Sequence, residues 1–341
     1  MHLSKTAKIL ILGILCVVLS VTATAPRTVH AQRTKIRFGV GPLQATPTAT
    51  KAAFEPFFAW LANQLDVDYE LTATDSWAGI SVAMLSDQVD IAWMGPWGYV
   101  LANDAADVLT GKPITAIATV KYDEKPIYYA IIVGKPGLNI KPLKMEDNPS
   151  LDELKAWLDT LKPYSISFAD LGSTSGYLVP TAFFRGQGID PKTFFAKYSE
   201  GSTHAANETA VVNGQVDLAT DFNRNRNTLI ENGAIKADLS VIYWTSNPLP
   251  NDAIAIRPGL DEAMVKHLKE ILLGLTPDKA KELMIGTGIA DKPVHYTGFI
   301  ESSDANYATI RKSGIFIGKI GARTRDQEPT AAATMAATTK P

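Results

Sequence analysis

Between a β-like run, Ser165 to Asp170, and a helical stretch through Phe183 and Phe184, the chain reads Gly172-Ser173-Thr174-Ser175-Gly176. The glycines permit close backbone approach, and the three hydroxyls join the free N–H groups of a starting helix. A helix start carries partial positive charge and suits phosphate-like anions. Each hydroxyl can donate to an oxyanion oxygen without bringing net charge into the site. A hydroxyl-rich helix cap with no ligand fits this string equally well.

His204, in Gly201-Ser202-Thr203-His204, stands at another strand-to-helix turn, where a protonated or Nε-donating imidazole could contact the same anion. The other reading is a cap or a solvated side chain. Asp252 is a third candidate: a carboxylate is repelled by a dianion but accepts a hydrogen bond from a protonated ligand oxygen. Its alternative is a hinge residue capping the next strand. Elsewhere, the loops after predicted strands carry Asp75-Ser76-Trp77-Ala78-Gly79, Trp93-Met94-Gly95-Pro96-Trp97 and Asp221-Phe222-Asn223. Aromatic residues thus gather on loops of one half and small hydroxyls on loops of the other, which is the composition of a cleft.

The elements that must position these residues alternate. Strands are predicted at Ile36 to Val40, Tyr69 to Thr74, Val89 to Met94, Ile114 to Val120, Ser165 to Asp170, Val216 to Asp221, Val241 to Trp244 and Ala253 to Ile256. Helical stretches intervene, one of them opened by the capping box Ser150-Leu151-Asp152-Glu153. The alternation predicts α/β layers with mainly parallel sheets. Gln88-Val89-Asp90-Ile91-Ala92 returns as Gln215-Val216-Asp217-Leu218-Ala219, a spacing suited to domains rather than to a solenoid. Two lobes on one plan follow. Extended crossovers are expected at Tyr128 to Pro136 and at Thr245 to Asp252, where prolines interrupt helices. One lobe is then 33–135 plus 248–300 and the other 136–247, with 301–321 unassigned. Residues 322–341, rich in Ala and Thr, have little to bury and are expected to be disordered.

At the N-terminus, Lys5 and Lys8 precede an apolar run, Ile9 to Val21, shorter than the roughly 20 residues that a spanning helix needs. With Val29-His30-Ala31 after it, residues 1–31 read as a secretory signal cleaved near Ala31. Its removal takes Lys5, Lys8 and Arg27 but no acid. The 33 basic residues less these three face 35 acidic ones, a net charge of −5. That argues against a nucleic-acid surface and against anion capture by bulk positive field. Cys16, the single cysteine, leaves with the signal, so no disulfide or thiolate site is expected. His204, His267 and His295 show no metal-ligand spacing, and there is no nucleotide loop; neither metal nor cofactor is expected.

Together these residues resemble the phosphate/phosphite/phosphonate substrate-binding proteins of ABC transporters, the PhnD family. The likeness runs from Phe38 to about Ile285. It is carried by Asp75-Ser76-Trp77-Ala78-Gly79-Ile80, Val89-Asp90-Ile91-Ala92-Trp93, Ser173-Thr174-Ser175-Gly176-Tyr177-Leu178-Val179-Pro180, His204 and Pro248-Leu249-Pro250-Asn251-Asp252. The resemblance implies a type II periplasmic-binding fold, two α/β lobes joined by two crossovers and closing on a ligand. It implies that Ser173, Thr174, Ser175 and His204 hold the phosphonate oxygens, with Asp252 a pocket acid and Trp77 an aromatic wall. It further implies a periplasmic monomer, not an enzyme, that serves an ABC permease and its ATPase at the inner membrane.

Two departures narrow the ligand. Members that carry aminoalkyl phosphonates place an acid where this chain has Arg224, although Asp221 could substitute, and Met94 replaces a tyrosine. Without an ammonium partner, and with Trp77, Met94 and Trp97 shrinking the pocket, phosphite is favoured, methylphosphonate next. Capture is expected to rest on neutral donors aided by His204. Rival readings are another oxyanion (phosphate, aminoalkylphosphonate, sulfonate or nitrate), a ligand-presenting sensor, and a serine hydrolase using Ser173 or Ser175 with His204. The last is weakened because Thr174 holds the central place of the G-x-S-x-G spacing.

Overall fold

The computed structural model describes residues 34–321; the expected signal and tail lie outside them. In chain order the strands begin with β1 (Lys35–Val40), β2 (Asp68–Ala73), β3 (Ile91–Met94), β4 (Thr115–Tyr122) and β5 (Ile127–Tyr128). Next come β6 (Ala130–Gly134), β7 (Leu143–Lys144), β8 (Ser165–Ala169), β9 (Lys197–Ser202) and β10 (Leu218–Phe222). The series closes with β11 (Val241–Thr245), β12 (Leu249–Pro250), β13 (Ala253–Ile256) and β14 (Tyr296–Glu301). They form two six-stranded sheets, ordered β14-β4-β13-β3-β1-β2 and β7-β11-β6-β10-β8-β9. The short strands β5 and β12 pair with each other, Tyr128 opposite Leu249, where the chain passes between the sheets.

The repeated Gln-Val-Asp has one job in both halves. Asp90, just before β3, accepts the backbone N–H of Arg37 in β1 at 2.8 Å. Asp217, just before β10, accepts the backbone N–H of Ser165 in β8 at 2.8 Å. Each carboxylate ties its strand to the start of the parallel neighbour with which it pairs. Asp90 is the more deeply committed, since Arg37 Nη2 donates to it at 2.6 Å and Arg257 Nε is also bonded. Those partners outweigh the cost of burial and hold its pKa down at about 2.

Two expectations change. The sheets are mixed rather than mainly parallel: β13 runs antiparallel to β3 and β4, and β6 antiparallel to β10 and β11. A strand that enters straight from a crossover arrives from the opposite direction to those returned by helices. For the same reason Ala130–Gly134, expected within a first-lobe crossover, is a fully buried central strand of the second sheet.

Local chemistry starts the helices that matter. Ser76 caps Trp77–Leu85, Gly95 and Pro96 open Pro96–Thr110, Thr203 caps His204–Val212, and the Ser150–Glu153 capping box opens Leu151–Leu161. The C-terminal helix Ala308–Phe316 touches both halves. Arg311 bonds Asn103 and Asp104 on the first, and the Ile317 carbonyl accepts from Arg185 on the second. Among the described residues no helix is long and apolar enough to cross a membrane.

Candidate functional site

The hydroxyl loop follows β8. Ser173 is in extended conformation and its Oγ accepts from the Gly176 N–H at 3.0 Å, capping one π-helical turn, Thr174–Leu178, that runs into Val179–Gly186. Such π turns recur at functional sites because they re-aim side chains. Gly176 is required by space: a Cβ there would come 2.3 Å from Ala169 Cβ and 2.8 Å from His204 Cε1. With that room, His204, the first residue of its helix, brings Nε2 to 2.9 Å from Ser173 Oγ.

The first sheet's loops face this one. Trp77 begins its helix with its ring against Gly41 and Gly95, where a Cβ would approach ring atoms to 2.4 and 3.1 Å. The second half reaches across to these helix starts: Asp170 Oδ1 accepts from the Trp77 N–H at 3.2 Å, and Thr174 Oγ1 from the Trp97 N–H at 2.8 Å. The paired crossovers lie beside them. Asp252 Oδ2 accepts from Trp93 Nε1 at 3.0 Å. Burial raises the Asp252 pKa, against the opposing pull of the Arg224 charge and the Trp93 bond.

Between the halves is a cavity. Ser173, Thr174, Ser175 and His204 form one side; Trp77, Tyr128, Phe222 and Tyr296 supply aromatic surface; Arg224 and Asp252 are its charged side chains. Its volume is about 20 Å³. That space admits a small group and excludes a bulky one.

Six of the residues singled out in the sequence therefore meet on one cavity: Ser173, Thr174, Ser175, His204, Asp252 and Trp77. Two do not. Met94 is fully buried in β3 and packs in the core outside the cavity wall. Asp221 is fully buried behind His204, with Oδ1 2.8 Å from Nδ1, and accepts from Asn225 Nδ2 at 2.9 and 3.1 Å. Burial pushes Asp221 up to about 7, and burial with the nearby Asp221 charge pushes Glu208 up to about 9. Trp97 contributes its backbone N–H to Thr174, and its ring is buried outside the cavity wall.

Burial pulls the His204 pKa down, against the nearby Asp170 and Glu208 charges. Ser173, His204 and Asp221 follow one another as in a hydrolase triad, but Nδ1 lacks the alignment of a hydrogen bond to Asp221. Ser173 Oγ is also committed to the Gly176 N–H. Both features disfavour a proton relay that activates the serine.

Beside the neutral donors and His204 stands Arg224, the one fixed cation among the described residues lining the cavity. It is buried, with its guanidinium 4.5 Å from the Tyr122 ring centre and 5.0 Å from that of Tyr128. Sequence reasoning flagged Arg224 only as a departure, and it missed Tyr128, Phe222 and Tyr296. Phe222 stands in a loop already marked for chemistry; Tyr296 has no local signal.

The model of the family "ABC transporter, phosphonate, periplasmic substrate-binding protein" matches residues 38–307. The phosphonates-binding periplasmic protein of Escherichia coli (strain K12) is 26% identical over 298 residues, 86% of this chain and 80% of that protein. The phosphate-import protein PhnD of Mycolicibacterium smegmatis is 26% identical over 226 residues, 64% of this chain and 65% of that protein. In fold, the chain is similar to PhnD1 from Prochlorococcus marinus (MIT 9301) in complex with methylphosphonate. The TM-score is 0.70 at 20% identity, over 84% of this chain and 99% of that one.

Proposed function

The chain belongs to the periplasmic phosphonate substrate-binding proteins of ABC transporters, and from that premise we propose that it captures phosphite or a small phosphonate such as methylphosphonate. The reading has it exported after cleavage near Ala31 and acting as a monomer that delivers its ligand to an ABC permease and its ATPase at the inner membrane. One lobe carries β1–β4, β13 and β14, and the other β6–β11.

The observation that carries this reading is the small cavity lined by the Ser173–Ser175 hydroxyls, His204, aromatic rings and the Arg224 guanidinium. Ser173, Thr174 and Ser175 donate to ligand oxygens, His204 supports Ser173, and Asp252 accepts from a protonated oxygen. Trp77 and the neighbouring rings face P–H or P–CH3. Phosphate would set its fourth oxygen against that apolar wall, and a buried polar group left unpaired costs about 1–3 kcal/mol. Phosphate is the competing ligand, favoured by the name of the Mycolicibacterium relative.

Calorimetry with phosphite, methylphosphonate, 2-aminoethylphosphonate and phosphate tests the choice. Phosphite and methylphosphonate should bind at least tenfold more tightly than phosphate. Phosphate binding as tightly as phosphite would overturn the wall, and failure of all four would overturn the binder. For the hydrolase alternative, the readout is turnover of an activated ester that disappears in Ser173→Ala and Ser175→Ala; none is expected.

A further inference from the structure

We propose that the oxyanion cavity has an outer compartment that takes an anionic substituent on the bound phosphonate, and that Arg224 is the residue that selects its charge. The proposal rests on the reading of the inner cavity given above and adds a ligand class to it: phosphonates bearing a carboxylate on a short carbon arm.

Arg224 is held where a cation is expensive. It is the second residue of the helix Asn223–Glu231, at the positive end of the helix dipole, and it is only 6% exposed. The Tyr122 and Tyr128 rings and the Asn251 Oδ1, which accepts from Nη2, fix the guanidinium in place. Its Nε is buried with no hydrogen-bond partner among the described residues. A buried, pre-positioned guanidinium that lines two adjoining cavities is suited to an anion supplied from outside.

The space beside it is available. A second cavity of about 200 Å³ shares Leu43, Phe222, Arg224 and Tyr296 with the oxyanion cavity, so the two adjoin at Arg224. The outer one is lined further by Asn225, Thr228 and Lys292. Its acid, Glu231, is engaged with His295 Nε2 at 2.9 Å. A group attached to phosphorus and leaving the inner cavity at this junction meets the guanidinium first. A carboxylate there gains a charge-assisted bond, and an ammonium meets a fixed like charge.

Calorimetry on the wild-type protein with methylphosphonate, phosphonoacetate, (carbamoylmethyl)phosphonate and 2-aminoethylphosphonate separates the alternatives. Phosphonoacetate should bind at least tenfold more tightly than its neutral amide, with 2-aminoethylphosphonate weakest of the four. In Arg224→Gln, the affinity ratio of phosphonoacetate to methylphosphonate should fall at least tenfold. The wild-type comparison decides even if that variant does not fold. If methylphosphonate binds but phosphonoacetate is no better than the amide, or the amine binds best, the outer compartment is refuted while the inner site stands. If methylphosphonate itself does not bind, the reading of the inner site fails and this inference falls with it.

Discussion

The two halves share a scaffold device and divide the site chemistry. In each, an aspartate at the head of a strand holds a backbone N–H of its parallel neighbour, Asp90 that of Arg37 and Asp217 that of Ser165. Beyond the same strand ends the loops diverge. The first half presents Trp77 and helix starts whose N–H groups are taken by Asp170 and Thr174 from across the cleft. The second presents Ser173, Thr174, Ser175, His204 and Arg224. A repeated fold thus fixes where strand ends lie, and the loop residues decide what each half brings to the cavity.

The largest expected effect tests the shared device. Asp90 is almost fully buried and serves two arginines as well as a backbone N–H, whereas Asp217 is about one-quarter exposed and pairs with the half-exposed Lys135. Asp90→Ala should destabilise the protein by about 3 kcal/mol, as expected when one partner of a buried ion pair is removed. Asp217→Ala should cost about 1 kcal/mol, nearer the value for a single hydrogen bond. Urea unfolding reads both, and equal losses would break the asymmetry.

The division of chemistry comes next. Ser173→Ala removes a donor to a charged ligand, worth about 1.5–3 kcal/mol, so calorimetry should show roughly 10- to 100-fold weaker phosphite binding. Trp77→Leu should act on choice more than on affinity, reducing the preference for phosphite over phosphate about tenfold. A Trp77 variant that loses as much phosphite affinity as Ser173→Ala, with its preference intact, would show that the wall is not a selector.

The smallest effect concerns how the halves stay together. His295 Nδ1 lies 2.9 Å from Asp123 on the first half, and Nε2 lies 2.9 Å from Glu231 on the second. Burial alone would lower its pKa, but the bonds to both carboxylates outweigh that and raise it. Two acceptors need two N–H donors, so the bridged imidazole is protonated. The bridge is fully present below the ordinary histidine pKa of about 6.5 and is lost as pH rises through the raised value. His295→Gln should weaken ligand binding at pH 6 by about 2- to 5-fold, in line with exposed ion pairs, and by less at pH 9. The same loss at both pH values would remove the bridge from the closure.

Much of this was legible in local sequence. The capping box at Ser150, the Gln-Val-Asp echo and the hydroxyl string each encode interactions over a few residues, and eight strands were readable as apolar runs. Ala130–Gly134 was misassigned because an extended run next to prolines looks alike whether it crosses between sheets or joins one. Met94 packs in the core instead of lining the cavity, which residue type alone does not reveal. Arg224 was visible as a departure, but its burial depends on Tyr122, Tyr128 and Asn251, which come from other segments.

By itself the sequence determined the α/β alternation, the paired lobes and the hydroxyl loop, because helix caps, strand runs and glycine-bounded hydroxyls act through near neighbours. Only the tertiary structure decided that His204 is buried, that Asp221 lies behind it, and that Arg224 and Tyr296 complete the cavity. Charge state and cavity shape depend on which groups are buried together, and Tyr296 and Ser173 meet across that space only once both sheets have formed.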